Sequence, residues 1–154
     1  MHNNFVKGLE FIRKWEGGWS NDKLDPGGKT MWGITEAVYL KHYPDNRIED
    51  ATPDEAANIY WEDYWVPSGA GEVPFYYGIV LFDTAVNCGV GRAKALDRIA
   101  KGDPEAYINA RIQFYTRLVE KNPPLKKFFK GWINRVTDLR KYIDVLRIEA
   151  TTLP

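Results

Sequence analysis

The chain has 154 residues, 21 Lys plus Arg against 21 Asp plus Glu, and 44% hydrophobic residues, a composition that excludes a disordered chain and suffices for one domain with a sizeable core. A single Cys, Cys88, and two His exclude a disulfide framework and a Cys/His zinc site, so metal dependence is disfavoured. Zero net charge conceals a division, because residues 1–77 carry 7 basic and 13 acidic side chains and residues 78–154 carry 14 basic and 8 acidic, which suits the second half to an anionic polymer or envelope.

Phe5, Leu9, Ile12 and Trp15 recur at helical spacing behind Asn3 and Asn4, which predicts a first helix from about Asn4 to Trp15 that ends at Gly17-Gly18. From Gly17 to Gly33 the chain has five Gly, one Pro and a polar set with no sustained apolar period, the pattern of a long ordered loop or small β-hairpin. Connections of that length within a compact domain are mostly functional, so Glu16 to Thr35 is the first place to look for chemistry. Thr35-Glu36-Ala37-Val38 opens a short helix toward Tyr43, and Thr52-Pro53-Asp54-Glu55 is a capping box whose helix should reach about Trp65.

Helices from about Pro74 to Cys88 and from Gly91 to Lys101 stop at glycines. Asp103-Pro104-Glu105 starts another, which ends before Pro123-Pro124. The last helix carries Leu125, Phe128, Phe129, Trp132, Val136, Leu139, Ile143 and Leu146 on one face, with Lys and Arg opposite. The fold class is therefore mainly α, with a Gly-rich loop or small β-hairpin after the first helix, in a single compact domain over residues 1–154. The most apolar segment, Val73 to Phe82, is ten residues long and contains Pro74 and Gly78, too short to span a bilayer. Met1 to Gly8 lacks the apolar stretch of a secretory signal, so synthesis in the cytoplasm without a signal peptide is expected.

Three acids, Glu16, Asp22 and Asp25, stand within the glycine-rich frame. Glu16, at a helix end beside Trp15 and Trp19, is expected in apolar surroundings that favour the protonated acid, whereas Asp25 in a polar loop is expected to stay ionised. Two carboxyls driven to different protonation states are what glycoside hydrolysis needs, one to protonate the leaving oxygen and one to assist water or the developing cation. Glu16, eight residues, Asp25, four residues, Thr30 is similar to the Glu, Asp, Thr constellation of phage lysozymes, with the second gap one residue shorter here.

Glu16-Gly17-Gly18, Asn21-Asp22, Asp25-Pro26-Gly27-Gly28, Thr30 and Gly33-Ile34-Thr35 together resemble the signature of glycoside hydrolase family 108, N-acetylmuramidases common among phage and prophage endolysins. Phe82-Asp83-Thr84-Ala85-Val86-Asn87-Cys88-Gly89, with Arg111, Phe114-Tyr115, Phe129, Gly131-Trp132 and Arg135, resembles the peptidoglycan-binding region that follows in that family. Lys23 departs from the Pro of many relatives. The resemblance implies a lysozyme-like helical fold, a catalytic lobe over 1–70 and a helical peptidoglycan-binding lobe over 71–154. It implies hydrolysis of the β-1,4 bond on the reducing side of N-acetylmuramic acid, with Glu16 as catalytic acid and neither metal nor cofactor. The expected partners are peptidoglycan glycan strands and the anionic envelope surface, met by a monomer that acts on the bacterial cell wall after holin-type or other export.

Within that frame Asp25 is expected to be the second carboxylate and Thr30 to orient a water, while Asp22 serves loop structure or substrate contact. Pro26-Gly27-Gly28 would hold the Asp25 carboxylate back and favour inversion. Trp32 is the ring expected to stack on a sugar, among more rings, Tyr39, Trp61 and Trp65 included, than one small core normally needs. Asp83 and Asn87, four apart on an apolar helix, either bond internally or face the substrate, and Tyr115 joins them as a substrate contact. His42 is expected to face solvent and Cys88 to be a buried small hydrophobe. The competing reading is a binding module in which Lys126, Lys127, Lys130, Arg135, Arg140, Lys141 and Arg147 contact phosphates. Neutral total charge and the lack of a helix-turn-helix or RNA-binding signature count against nucleic acid.

Overall fold

The stripe of Phe5, Leu9 and Ile12 is buried on α1, which spans Asn3–Glu16. Glu16 follows Ile12 by four residues, so the same helical period that buries the stripe delivers this carboxylate to the core-facing side at the helix end. The computed structural model describes residues 3–17, 21 and 28–152. Asp22, Asp25 and Trp19, singled out above, lie outside the described residues.

The glycine-rich segment ends in an antiparallel hairpin of β1 (Thr30–Met31) and β2 (Ile34–Thr35), with Thr30 opposite Thr35 and Met31 opposite Ile34. Its two connecting residues, Trp32 and Gly33, have φ of 56° and 79°, the paired left-handed conformation of the tight hairpin turn whose twist matches the strands. Thr35 then caps α2 (Glu36–His42), accepting from the Val38 amide at 3.4 Å. Thr52 caps α3 (Pro53–Tyr60): its hydroxyl accepts from the Glu55 amide at 3.2 Å and donates to the Glu55 carboxylate at 3.1 Å.

The helical path continues beyond the expected end near Trp65. A wide π turn over Trp61–Trp65 leads into α4 (Val66–Ser68), which Gly69 closes at φ 77°. Residues four apart lie nearly above one another in such a turn, and Trp61 and Trp65 accordingly stack, 6.1 Å between centroids, with both rings edge-on to Phe5. The surplus of rings is thereby explained in part as core, since Tyr39 and Trp65 are buried.

Four longer helices follow: α5 (Phe75–Cys88), α6 (Val90–Ala100), α7 (Pro104–Lys121) and α8 (Lys126–Thr152). On α8 the stripe of Val136, Leu139, Ile143 and Leu146 is buried as read, but Phe128 is 46% exposed, Phe129 and Trp132 are half-buried, and Leu125, also half-buried, lies in the 3-10 turn before the helix. Ring stacking holds those first turns instead, Phe128 on Trp132 and Trp132 on Tyr115. No described helix is long and apolar enough to cross a membrane.

Two apolar clusters meet along α1 and α5. Phe5, Leu9, Ile12 and Phe82 belong to the one with Ile34, Tyr39, Ile48, Ile59 and Tyr60, whereas Phe11, Ile79, Val80, Leu81 and Ala85 belong to the other with Tyr107, Ile108, Val136 and Leu139. Gly8 permits this contact, because a Cβ there would stand 2.8 Å from the Phe82 ring. The fold is mainly α, with one small hairpin among the described residues.

Candidate active site

Glu16 closes α1 with its side chain 25% exposed, and its Oε1 accepts from Arg135 Nη1 at 2.7 Å. The expected apolar surround is not what α1 provides, for Trp15 turns away and its indole donates to Asp138 at 2.8 Å. Besides Arg135, the hairpin closes on Glu16. A Cβ on Gly33 would lie 2.6 Å from Glu16 Cβ and 2.4 Å from the Tyr60 hydroxyl, so a glycine is required here for space as well as for its positive φ. Tyr60 donates to the Trp32 carbonyl at 2.9 Å, and the Trp32 indole donates to the Ala51 carbonyl at 2.9 Å. These two bonds hold a tryptophan in a backbone conformation that costs a bulky residue about 1–3 kcal/mol.

Tyr60 is buried, and burial, reinforced by the nearby Glu16 and Tyr64, pushes its hydroxyl well above the ordinary tyrosine range. It therefore stays a donor to the turn. Lys29 ties the start of the hairpin to Glu49 at 2.7 Å, while the Lys29 carbonyl accepts from the Glu36 amide.

Behind Glu16 lies a buried polar network built from two pairs of residues with helical i, i+4 spacing. Asp83 and Asn87 on α5 face Arg111 and Tyr115 on α7. Arg111 Nη1 donates to Asp83 at 2.7 Å and to Thr84 at 3.1 Å, its Nε donates to the Tyr115 hydroxyl at 2.9 Å, and its Nη2 donates to Asn87 at 3.4 Å. Tyr115 in turn donates to Asn87. From α8, Arg135 reaches the opposite side of Asp83, with Nη2 at 2.8 Å and Nε at 3.1 Å from Oδ1. Burial alone would push the Asp83 carboxyl up, but the guanidiniums of Arg111 and Arg135 outweigh it and hold the group below the usual carboxylate range. Asp83 in return keeps both buried arginines charged.

Residues 9–89 match the family described as Glycosyl hydrolase 108. The chain belongs to glycosyl hydrolase family 108. Residues 84–137 of this family 108 enzyme also match the "Predicted Peptidoglycan domain", and the two together mark a glycoside hydrolase that acts on peptidoglycan. Among solved structures it is similar to the "Structure of Brucella abortus SagA", with 23% identity, a TM-score of 0.74 and coverage of 92% of this chain and 94% of that one, a likeness of fold. No curated protein matches the chain.

In this family 108 enzyme the structure brings Glu16 against the turn of Trp32 and Gly33, and Thr30 stands on β1 two residues before that turn. Two expected substrate contacts are corrected. Asp83 is fully buried and Tyr115 nearly so, and their polar atoms are spent on Arg111, Arg135 and Asn87 because an apolar interior leaves them nothing else to bond. Asn87 is half-buried at the end of α5.

Arg135 is likewise no phosphate contact, being buried and ion-paired, whereas Lys126, Lys127, Lys130 and Lys141 are exposed and Arg140 pairs with Glu105 at 3.2 Å. His42 sits between Glu62 and Asp63 instead of facing open solvent. Cys88, half-buried, lies 3.4 Å from the Tyr115 hydroxyl. Reasoning from the sequence missed Tyr60 altogether, since a tyrosine on an amphipathic helix carries no mark of the turn it pins. Arg135 and Glu16 were each noted, but not their contact.

Proposed function

We propose that this family 108 enzyme is an N-acetylmuramidase of the lysozyme type, cutting the β-1,4 bond between N-acetylmuramic acid and N-acetylglucosamine, and that it serves as a phage or prophage endolysin. The observation that carries the reading is Glu16, a partly exposed carboxyl clamped between the Gly33 turn and Arg135. Arg135 engages Oε1 alone, and among the described residues Oε2 has no partner. Oε2 is thus the atom that carries the proton to the glycosidic oxygen, so that the bond to the anomeric carbon breaks as the leaving sugar takes up that proton.

Asp25 is proposed as the base that accepts a proton from the attacking water, with Thr30 on β1 orienting that water and the anomeric centre inverted. Trp32 and Asn87 are the proposed substrate contacts, and Asp22 stays with the loop. Exposed lysines at the start of α8 would meet the anionic envelope, a contact that weakens with added salt. Synthesis in the bacterial cytoplasm and delivery to the wall through a holin or other route, as a monomer, complete the proposal. The test is the new reducing end released from purified peptidoglycan. Muramic acid is the expected sugar, and glucosamine at that end would overturn the assignment.

A further inference from the structure

Two guanidiniums, Arg111 and Arg135, are buried around one buried carboxylate, Asp83. The Asp83 and Arg111 pair is already neutral and holds itself together through Thr84, Asn87 and Tyr115. Arg135 is the surplus cation. A guanidinium with 6% of its side chain exposed needs a further acceptor for its remaining N–H, and the one it has is Glu16 Oε1, 119 residues away in sequence.

The guanidinium fork suits this task, since Nε and Nη2 grip Asp83 while Nη1 is left aimed at Glu16 Oε1. Asp83 is fixed from the other side by Arg111, so the aim of Nη1 is set by α5, α7 and α8 together. Gly33 closes on the Glu16 stem at Cβ and Cγ. The carboxyl is thereby held at its stem by the hairpin and at one oxygen by α8. Arg111 and Arg135 both lie within residues 84–137, the segment matched as a peptidoglycan domain, while Glu16 lies only in the glycosyl hydrolase match.

We propose that Arg135 is the positioning residue of Glu16, and that the C-terminal segment thereby completes the active site instead of serving as a detachable wall anchor. This rests on the reading of Glu16 as the general acid. The experiment uses the full chain, with Arg135→Gln and Arg135→Lys assayed beside Glu16→Gln for kcat and KM on solubilised peptidoglycan, for sedimentation with intact sacculi, and for near-UV circular dichroism.

Arg135→Gln leaves Asp83 and Arg111 as a neutral pair, so the fold is kept. Its kcat should fall on the order of 100-fold, the effect of a misplaced reacting group, with KM and sedimentation within about twofold of wild type. Arg135→Lys should recover kcat only in part, to about tenfold below wild type, because an ammonium supplies the charge without the fork. Arg135→Gln with wild-type kcat, or with lost sedimentation and unchanged kcat, overturns the proposal. Should Arg135→Gln not fold, Arg135→Lys decides: reduced kcat with native circular dichroism supports positioning, and wild-type kcat refutes it. Full activity in Glu16→Gln would sink the reading of Glu16 itself, whereas inactive Glu16→Gln beside fully active Arg135→Gln sinks only the role of Arg135.

Discussion

Gly33 and Glu16 are in such close approach that a methyl group on the glycine would stand 2.6 Å from Glu16 Cβ. Gly33→Ala therefore does two things: it strains a backbone at φ 79° and displaces the Glu16 stem. Turnover should fall on the order of 100-fold while the far-UV spectrum stays helical, since the hairpin is four residues of strand at the edge of a helical body. Wild-type turnover in Gly33→Ala would mean the turn does not set the position of Glu16.

Glu16→Gln should abolish most of the activity without disturbing the site. The Gln carbonyl can still accept from Arg135, so the 2.7 Å contact survives in kind, but the amide cannot deliver a proton to the leaving oxygen. A loss of about 10²–10⁴-fold in kcat is expected from removing a general acid. Initial rates on peptidoglycan, with sedimentation as the control for binding, measure it, and a rate within tenfold of wild type contradicts the role.

Helix boundaries were legible because caps and glycines mark them: Thr52 before α3, Asp103 before α7 and Gly89 after α5 all stand where their residue types indicate. Glu16 was legible as an acid at a helix end where a glycine-rich frame begins. The π turn at Trp61–Trp65 was not, since it depends on packing both tryptophans against Phe5 from α1. Neither was the partnership of Glu16 with Arg135, which needs α8 to fold back across α1 and α5. Asp83 and Asn87 carried a real signal, two polar groups four apart on an apolar helix, but that pattern is equally fitted to a substrate and to an internal partner, and only Arg111 distinguishes them.

Asp83 should dominate the acid sensitivity of the fold. Its folded carboxyl titrates below the usual range while the unfolded one titrates near 3.9, so its contribution is fully present above that unfolded value and is lost as pH falls through the folded one. Asp83→Asn leaves two buried guanidiniums with only Glu16 between them and should cost about 3–5 kcal/mol at pH 7. Urea unfolding of both proteins at pH 7 and near pH 3 tests the sign. The gap between wild type and variant should be smaller near pH 3 than at pH 7, by up to about 1.4 kcal/mol for each pH unit below the unfolded value, and an equal gap at both would remove Asp83 from the electrostatic core.

Trp32 combines two features that mutation can separate: a left-handed backbone at φ 56° and a half-buried ring whose indole donates to Ala51. Asparagine adopts the left-handed conformation far more readily and, ahead of glycine, is the preferred first residue of this turn. Trp32→Asn thus relieves strain of about 1–3 kcal/mol and gives up an indole hydrogen bond of about 1 kcal/mol with the packing of the ring, so the midpoint of thermal unfolding should move by only a few degrees. If the ring stacks on a sugar, its removal should raise KM about tenfold, the equivalent of some 1.4 kcal/mol. Trp32→Phe is the complement, for it keeps a ring and the strain but loses the indole donor, and should lower the unfolding midpoint while holding KM near wild type. Unchanged KM in Trp32→Asn together with a raised midpoint would make Trp32 a turn residue only, because the strain would then be present without serving contact with the glycan.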